Sequence, residues 1–222
     1  MIEERRLCTW CTIVLAATSV CAANVAGAAD GCASYLKSGD FQVGGYAAYT
    51  RKVLADDATV AASMVVLTSY WPEYAVSIAN TNASDKKWVA RYAIVKASIW
   101  GSVDNKPPAV ETRELQIDSS FAKYIVRVWK QVIAHPIPET SNLFTHGGAY
   151  FVFSVDGDRA NTWSPDCGIP QLAVKSGEAL RSAVLAKSRG MRKQALRQAV
   201  DALISVEQEL LASPQARTSV VN

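Results

Sequence analysis

The chain reads as an α+β protein, a single domain with an antiparallel sheet, helices packed on one face and further helices at the C-terminus. Several observations predict this. Between Met64 and Ile117 short runs rich in Val, Ile, Tyr and Trp are separated by turn and breaker residues, as strands are. Phe121, Tyr124, Ile125, Val128, Trp129 and Val132 recur at i, i+3, i+4 spacing, as one face of a helix does. From Ser176 to about Ala212 a long apolar stripe closes the domain, and nothing in the order of elements demands a parallel sheet.

Asp30 to Gly45 is glycine-rich and polar and is expected to be partly irregular. Tyr46, Tyr49, Val53 and Leu54 share a helical face, which predicts a short helix between Tyr46 and Ala62. Met64 to Tyr70 reads as a strand ended by Trp71-Pro72-Glu73, and Tyr74 to Ala79 as the next. Lys86 to Trp100 is the clearest strand and a largely buried one. Asn105-Lys106-Pro107-Pro108 then turns the chain, because proline restricts itself and its predecessor. Val110 to Ile117 alternates as an edge or half-exposed strand.

Asp118-Ser119-Ser120 supplies N-cap chemistry for the central helix, which Pro136 and Pro138 must stop near His135. Gly147-Gly148 opens the strand Ala149 to Val155, Asp156-Gly157 turns it, and Thr162-Trp163-Ser164-Pro165 is the returning arm before the loop of Cys167. From Ser176 the chain is helical, with Gly190 a separator or a bend. Residues 214–222 are expected to be a disordered tail and 29–213 the domain.

Residues 1–28 read as a signal peptide: Arg5-Arg6, an apolar run from Thr12 to Val25, then Ala26-Gly27-Ala28 as a small-residue cleavage site. Cleavage after Ala28 implies a periplasmic or secreted protein. A membrane anchor is the weaker reading, since the run falls short of the roughly 20 residues a span needs. Lipidation of Cys21 is weaker still, given Thr18-Ser19-Val20 before it. Cleavage removes Cys8, Cys11 and Cys21, leaving Cys32 and Cys167, which an oxidising compartment would join as a disulfide. The formal net charge of +3 is modest and is no nucleic-acid footprint.

Each candidate for chemistry meets a simpler structural reading. Ser34-Tyr35-Leu36-Lys37 with Lys175-Ser176-Gly177 matches elements of penicillin-recognising serine enzymes, but no middle S-x-N element lies between them. His146-Gly147-Gly148 has the form of an esterase oxyanion loop, yet no G-x-S-x-G supplies a nucleophile. Cys167 with His135 or His146 would need a free thiol, which export disfavours, and His135 suits a helix C-terminus. The two histidines and two remaining cysteines have no metal-ligand spacing, and Asp156-Gly157-Asp158 with Asn161 lacks the later glutamate of a calcium loop. No metal or cofactor is expected. Arg181, Lys187, Arg189, Arg192, Lys193 and Arg197 form a cationic run, read first as a solvated helix face and second as a contact for an anionic membrane surface, an envelope polymer or an acidic protein.

From residue 110 to 185 the order is a strand, a helix ending in Val128-Trp129, the aromatic strand Tyr150-Phe151-Val152-Phe153-Ser154, Thr162-Trp163-Ser164-Pro165, and a helix. This resembles a pattern in uncharacterised small exported bacterial proteins, and departs from it in having Gly147-Gly148-Ala149 where those proteins have Asp-Gly before the tyrosine. The resemblance implies export and an α+β fold and no catalytic residue.

The expectation for function is therefore a non-enzymatic exported binding or inhibitor-like protein acting on an envelope protein partner, with Trp163, Tyr150 and His146 on its binding surface. One alternative is a small envelope hydrolase using His146 with Asp156 or Asp158. The other is a surface-associated structural domain held by its cationic helix.

Overall fold

The computed structural model describes residues 34–41, 45–82, 87–99, 108–139 and 148–213. The expected signal peptide, Cys32, His146 with Gly147, and the tail from residue 214 lie outside the described residues. The strands are β1 (Lys37–Ser38), β2 (Val60–Thr68), β3 (Tyr74–Asn82), β4 (Lys87–Val95), β5 (Val110–Ile117), β6 (Ala149–Val155) and β7 (Asp158–Trp163). They form one antiparallel sheet in the order β1-β7-β6-β2-β3-β4-β5, so the α+β class and the antiparallel sheet are as expected.

Side chains alternate across the sheet and divide it into two faces. On the first, Met64, Val66, Val76, Ile78, Phe153 and Val155 pack against α2 (Ser119–Ile133), α3 (Gly168–Leu185) and α4 (Arg189–Ala212). The fully buried Trp129 of α2 meets Phe153 edge-on at 5.4 Å and donates from Nε1 to Ser176 Oγ at 3.0 Å. On the second face, Val65, Leu67, Ala75, Ala93, Val95 and Val152 pack with Ala47 and Leu54 of the short helix α1 (Tyr46–Leu54). β2 is central and covered on both sides, which is why Met64 to Leu67 reads as an unbroken apolar run.

Local chemistry explains most element ends. Asp118 caps α2 by accepting from Ser120 N at 2.8 Å. Asp156 and Gly157 both have positive φ, as a two-residue hairpin turn between β6 and β7 requires. β5 is the sheet edge, and its exposed Glu111, Arg113 and Glu114 guard it against pairing with another chain.

Other elements differ from expectation, some for local and some for tertiary reasons. α3 begins at Gly168 rather than Ser176, because Pro170 falls in the first turn, where its missing N–H is not needed. The break between α3 and α4 lies at Ala186 to Ser188, with Ser188 Oγ accepting from Met191 N, so Gly190 sits inside the first turn of α4. β4 ends at Val95, short of Trp100, because Ser98 and Ile99 leave the ladder to bond a buried carboxylate. The irregular N-terminal segment includes β1, paired to β7 through Lys37 and Ser38.

Candidate binding surface

The turn between β2 and β3 carries the most exposed aromatic pair among the described residues. Tyr70 is 76% and Trp71 73% exposed. Two residues further on, Glu73 is fully buried. Its carboxylate accepts from Ser98 Oγ at 2.8 Å, from Ile99 N at 2.8 Å and from the Tyr46 hydroxyl at the start of α1. Its carbonyl accepts from Val95 N at 3.1 Å. A buried carboxylate is tolerated only when donors of this kind surround it. Burial, together with the bond to Glu73, pushes the Tyr46 hydroxyl well above its ordinary value and keeps it a donor. Thr68 Oγ1 closes the turn by donating to the Trp71 carbonyl. Strand β2, strand β4 and helix α1 thus all grip the base of a loop whose tip is apolar and open.

Beside it, at the same end of the sheet, lie the two described members of the predicted surface. Thr68 pairs with Ala149, whose carbonyl accepts from Ser164 N at 2.9 Å. Tyr150 and Trp163 are cross-strand partners with ring centroids 4.4 Å apart, and Phe41 stacks on the other side of Tyr150 at 3.5 Å. Gly148 fits here only as glycine, since a Cβ would stand 2.6 and 2.7 Å from the Trp163 ring. Burial, then Tyr150 and Glu139, push the Tyr35 hydroxyl above its ordinary value. Lys37 pairs with Glu139 and lies 5.0 Å over the Tyr35 ring. Asp40 receives Arg51 and, at 3.3 Å, Arg159. Tyr35, Lys37, Asp40, Phe41 and Tyr150 line a recess of about 290 Å³ whose two charged residues are already paired within the fold. Tyr150 and Trp163 are both half-buried, Tyr150 contacting two rings, and the buried Nε1 of Trp163 has no hydrogen-bond partner among the described residues.

The remaining candidates separate. Asp156 pairs with Lys130 at 2.7 Å, and the Asp156-Gly157 turn stands at the far end of β6 from Gly148. His146 lies outside the described residues, so its position relative to Asp156 and Asp158 is not described. Cys167 N donates to Ser34 Oγ at 3.2 Å and its sulfur lies 3.4 Å from the same oxygen, two residues downstream of Cys32. Arg181 is withdrawn from the cationic run: it stacks 4.6 Å over Tyr74 and 5.6 Å over Tyr92 and pairs with Glu178 at 3.1 Å. Lys187, Arg189, Arg192, Lys193 and Arg197 are exposed around the α3–α4 turn.

Sequence reasoning treated Trp71-Pro72-Glu73 only as a strand breaker. The available signal was Tyr-Trp-Pro between two strand-like runs, which places aromatics at a hairpin tip where no core can receive them. Among the described residues no cluster of His, Cys, Asp and Glu could hold a metal ion, and no helix is long and apolar enough to cross a membrane. Comparison of the chain with protein-family models, with curated proteins and with solved structures gave no match.

Proposed function

We propose that this is an exported, periplasmic or secreted, non-enzymatic binding protein that acts on a protein partner of the cell envelope. The observation that carries the reading is the β2–β3 turn: Tyr70 and Trp71 project into solvent from a base held by the buried Glu73. Exposed aromatics of this kind anchor interfaces, and a loop already ordered in the free protein loses less entropy on binding. Trp163, at the same end of the sheet, extends the surface.

The test is capture from envelope extract with tagged wild-type protein, identification of the partner, and titration of the purified partner against Tyr70→Ala and Trp71→Ala. A hot-spot aromatic predicts at least about a 30-fold loss for Trp71→Ala, with the urea midpoint unchanged. Undiminished affinity in both variants would reject this surface.

We also propose that Cys32 and Cys167 form a disulfide in the exported protein. Ser34 at Cys167 supports it, because Cys32 is then within reach of the narrow geometry of a bridge. Thiol labelling after non-reducing denaturation should find neither cysteine reactive.

A further inference from the structure

We propose that the tip of the α3–α4 hairpin is a docking element for an anionic lipid surface. It does not rest on the aromatic turn, which lies on other elements. Every residue from Lys187 to Gln194 is exposed, although most of this run is regular helix. Gly190 has open space where a Cβ would stand. The hairpin therefore projects beyond its packing partners. Arg189, Lys193 and Arg197 follow at i, i+4 intervals along one line of α4, opposite the buried Ala195, Ala199, Ala202 and Val206. Lys187 and Arg192 flank that line. None of the five has an ion pair among the described residues, whereas Arg181, one helix earlier, pairs with Glu178.

This arrangement opposes folding. Like charges four apart on a helix repel, and cations at a helix N-terminus face the positive end of the dipole. No acidic residue stands in the first turn of α4 to relieve either effect. An external anion would relieve both. The row selects its kind: Arg189, Lys193 and Arg197 run about 12 Å along the exposed side of α4, which suits an extended anionic surface better than a small ligand. A plane of anionic headgroups can lie along the row of Arg189, Lys193 and Arg197, with the exposed Lys187 close by at the end of the hairpin.

The test is co-sedimentation of the purified protein, in the form the cell accumulates, with vesicles of equal parts phosphatidylglycerol and phosphatidylcholine and with pure phosphatidylcholine. Binding should favour the anionic vesicles and fall steeply with salt, since the attraction decays within about 8 Å at physiological ionic strength. Each Lys or Arg near such a surface contributes roughly a fivefold gain in partition. Arg189→Gln with Lys193→Gln should therefore lose on the order of 25-fold, and Glu substitution at the same positions more. All of these positions are exposed, and the urea midpoint of each variant checks that the fold is kept. Equal binding to both vesicle types, or undiminished binding by the double variant, would overturn the proposal. So would failure to bind vesicles while binding a soluble polyphosphate, which would assign the cations to a polymer.

Discussion

The two faces of the sheet are built on different principles. The face under α2, α3 and α4 is an apolar core centred on Trp129, Phe153, Met64, Ile125 and Leu180, with Ser176 present to satisfy the indole. The face under α1 is smaller and threaded with charge: Glu73 beneath Tyr46, Asp40 between Arg51 and Arg159, and Arg91 between Asp57 and Glu114 at 2.9 and 2.8 Å. Apolar burial is strong and without direction, so the first face sets stability. Hydrogen bonds and ion pairs contribute less net energy but fix geometry, so the second face holds particular segments in place. The β2–β3 turn, the N-terminal strand and the segment after β4 all owe their position to it.

The largest effect that would test this contrast is Trp129→Ala, expected to cost about 3–5 kcal/mol in urea unfolding. Leu54→Ala, under α1, should cost about 2 kcal/mol, and equality of the two would break the comparison. Glu73→Gln keeps the volume but weakens the bonds from Tyr46, Ser98 and Ile99. It should cost about 1.5–3 kcal/mol and speed hydrogen exchange at Ile99 and Tyr74 more than in α2. Uniform acceleration everywhere would mean that Glu73 supports the whole fold rather than one turn.

Gly148→Ala forces a methyl into the Trp163 ring and the Ser164 hydroxyl. A loss of about 1–3 kcal/mol is expected, with a shifted Trp163 fluorescence, and a neutral result would show that the aromatic row can slide. Asp118→Ala removes the α2 cap at a cost of about 1 kcal/mol.

The pH limits sharpen the contrast further. Burial and neighbouring carboxylates raise Tyr46 and Tyr74 well above the ordinary tyrosine value, and burial with Glu207 pushes Tyr124 up to about 12. Their raised values add stability that is complete below about pH 10 and is lost as the unfolded chain ionises above it. Ultraviolet titration should show these tyrosines ionising with unfolding, and ionisation near the ordinary value in the folded protein would contradict their burial. Asp57 is held below the ordinary carboxylate range by the Thr59 N–H and by Arg91. Its contribution is present above about pH 4 and fades as pH falls, by the smallest amount of the series because the group is exposed and screened.

The sequence by itself determined the class of the fold and the elements whose signals are local. The i, i+3, i+4 pattern behind Asp118 needs only the helix's own geometry, and Asp156-Gly157 needs only its own backbone freedom. β5 was legible as an edge because its exposed charges record the missing neighbour. Tertiary structure decided what depends on distant partners. β4 could not be seen to stop at Val95, because the carboxylate that diverts Ser98 and Ile99 belongs to Glu73, more than 20 residues earlier. Arg181 looked like one more surface cation until Tyr74 and Tyr92 received it. Tyr70 read as the end of a strand and Trp71 as part of the breaker after it, and the two became a surface only because the turn between β2 and β3 leaves them exposed. Periodicity reports a residue's neighbours along the chain, whereas the use of a charge or an aromatic ring is settled by what packs against it from elsewhere.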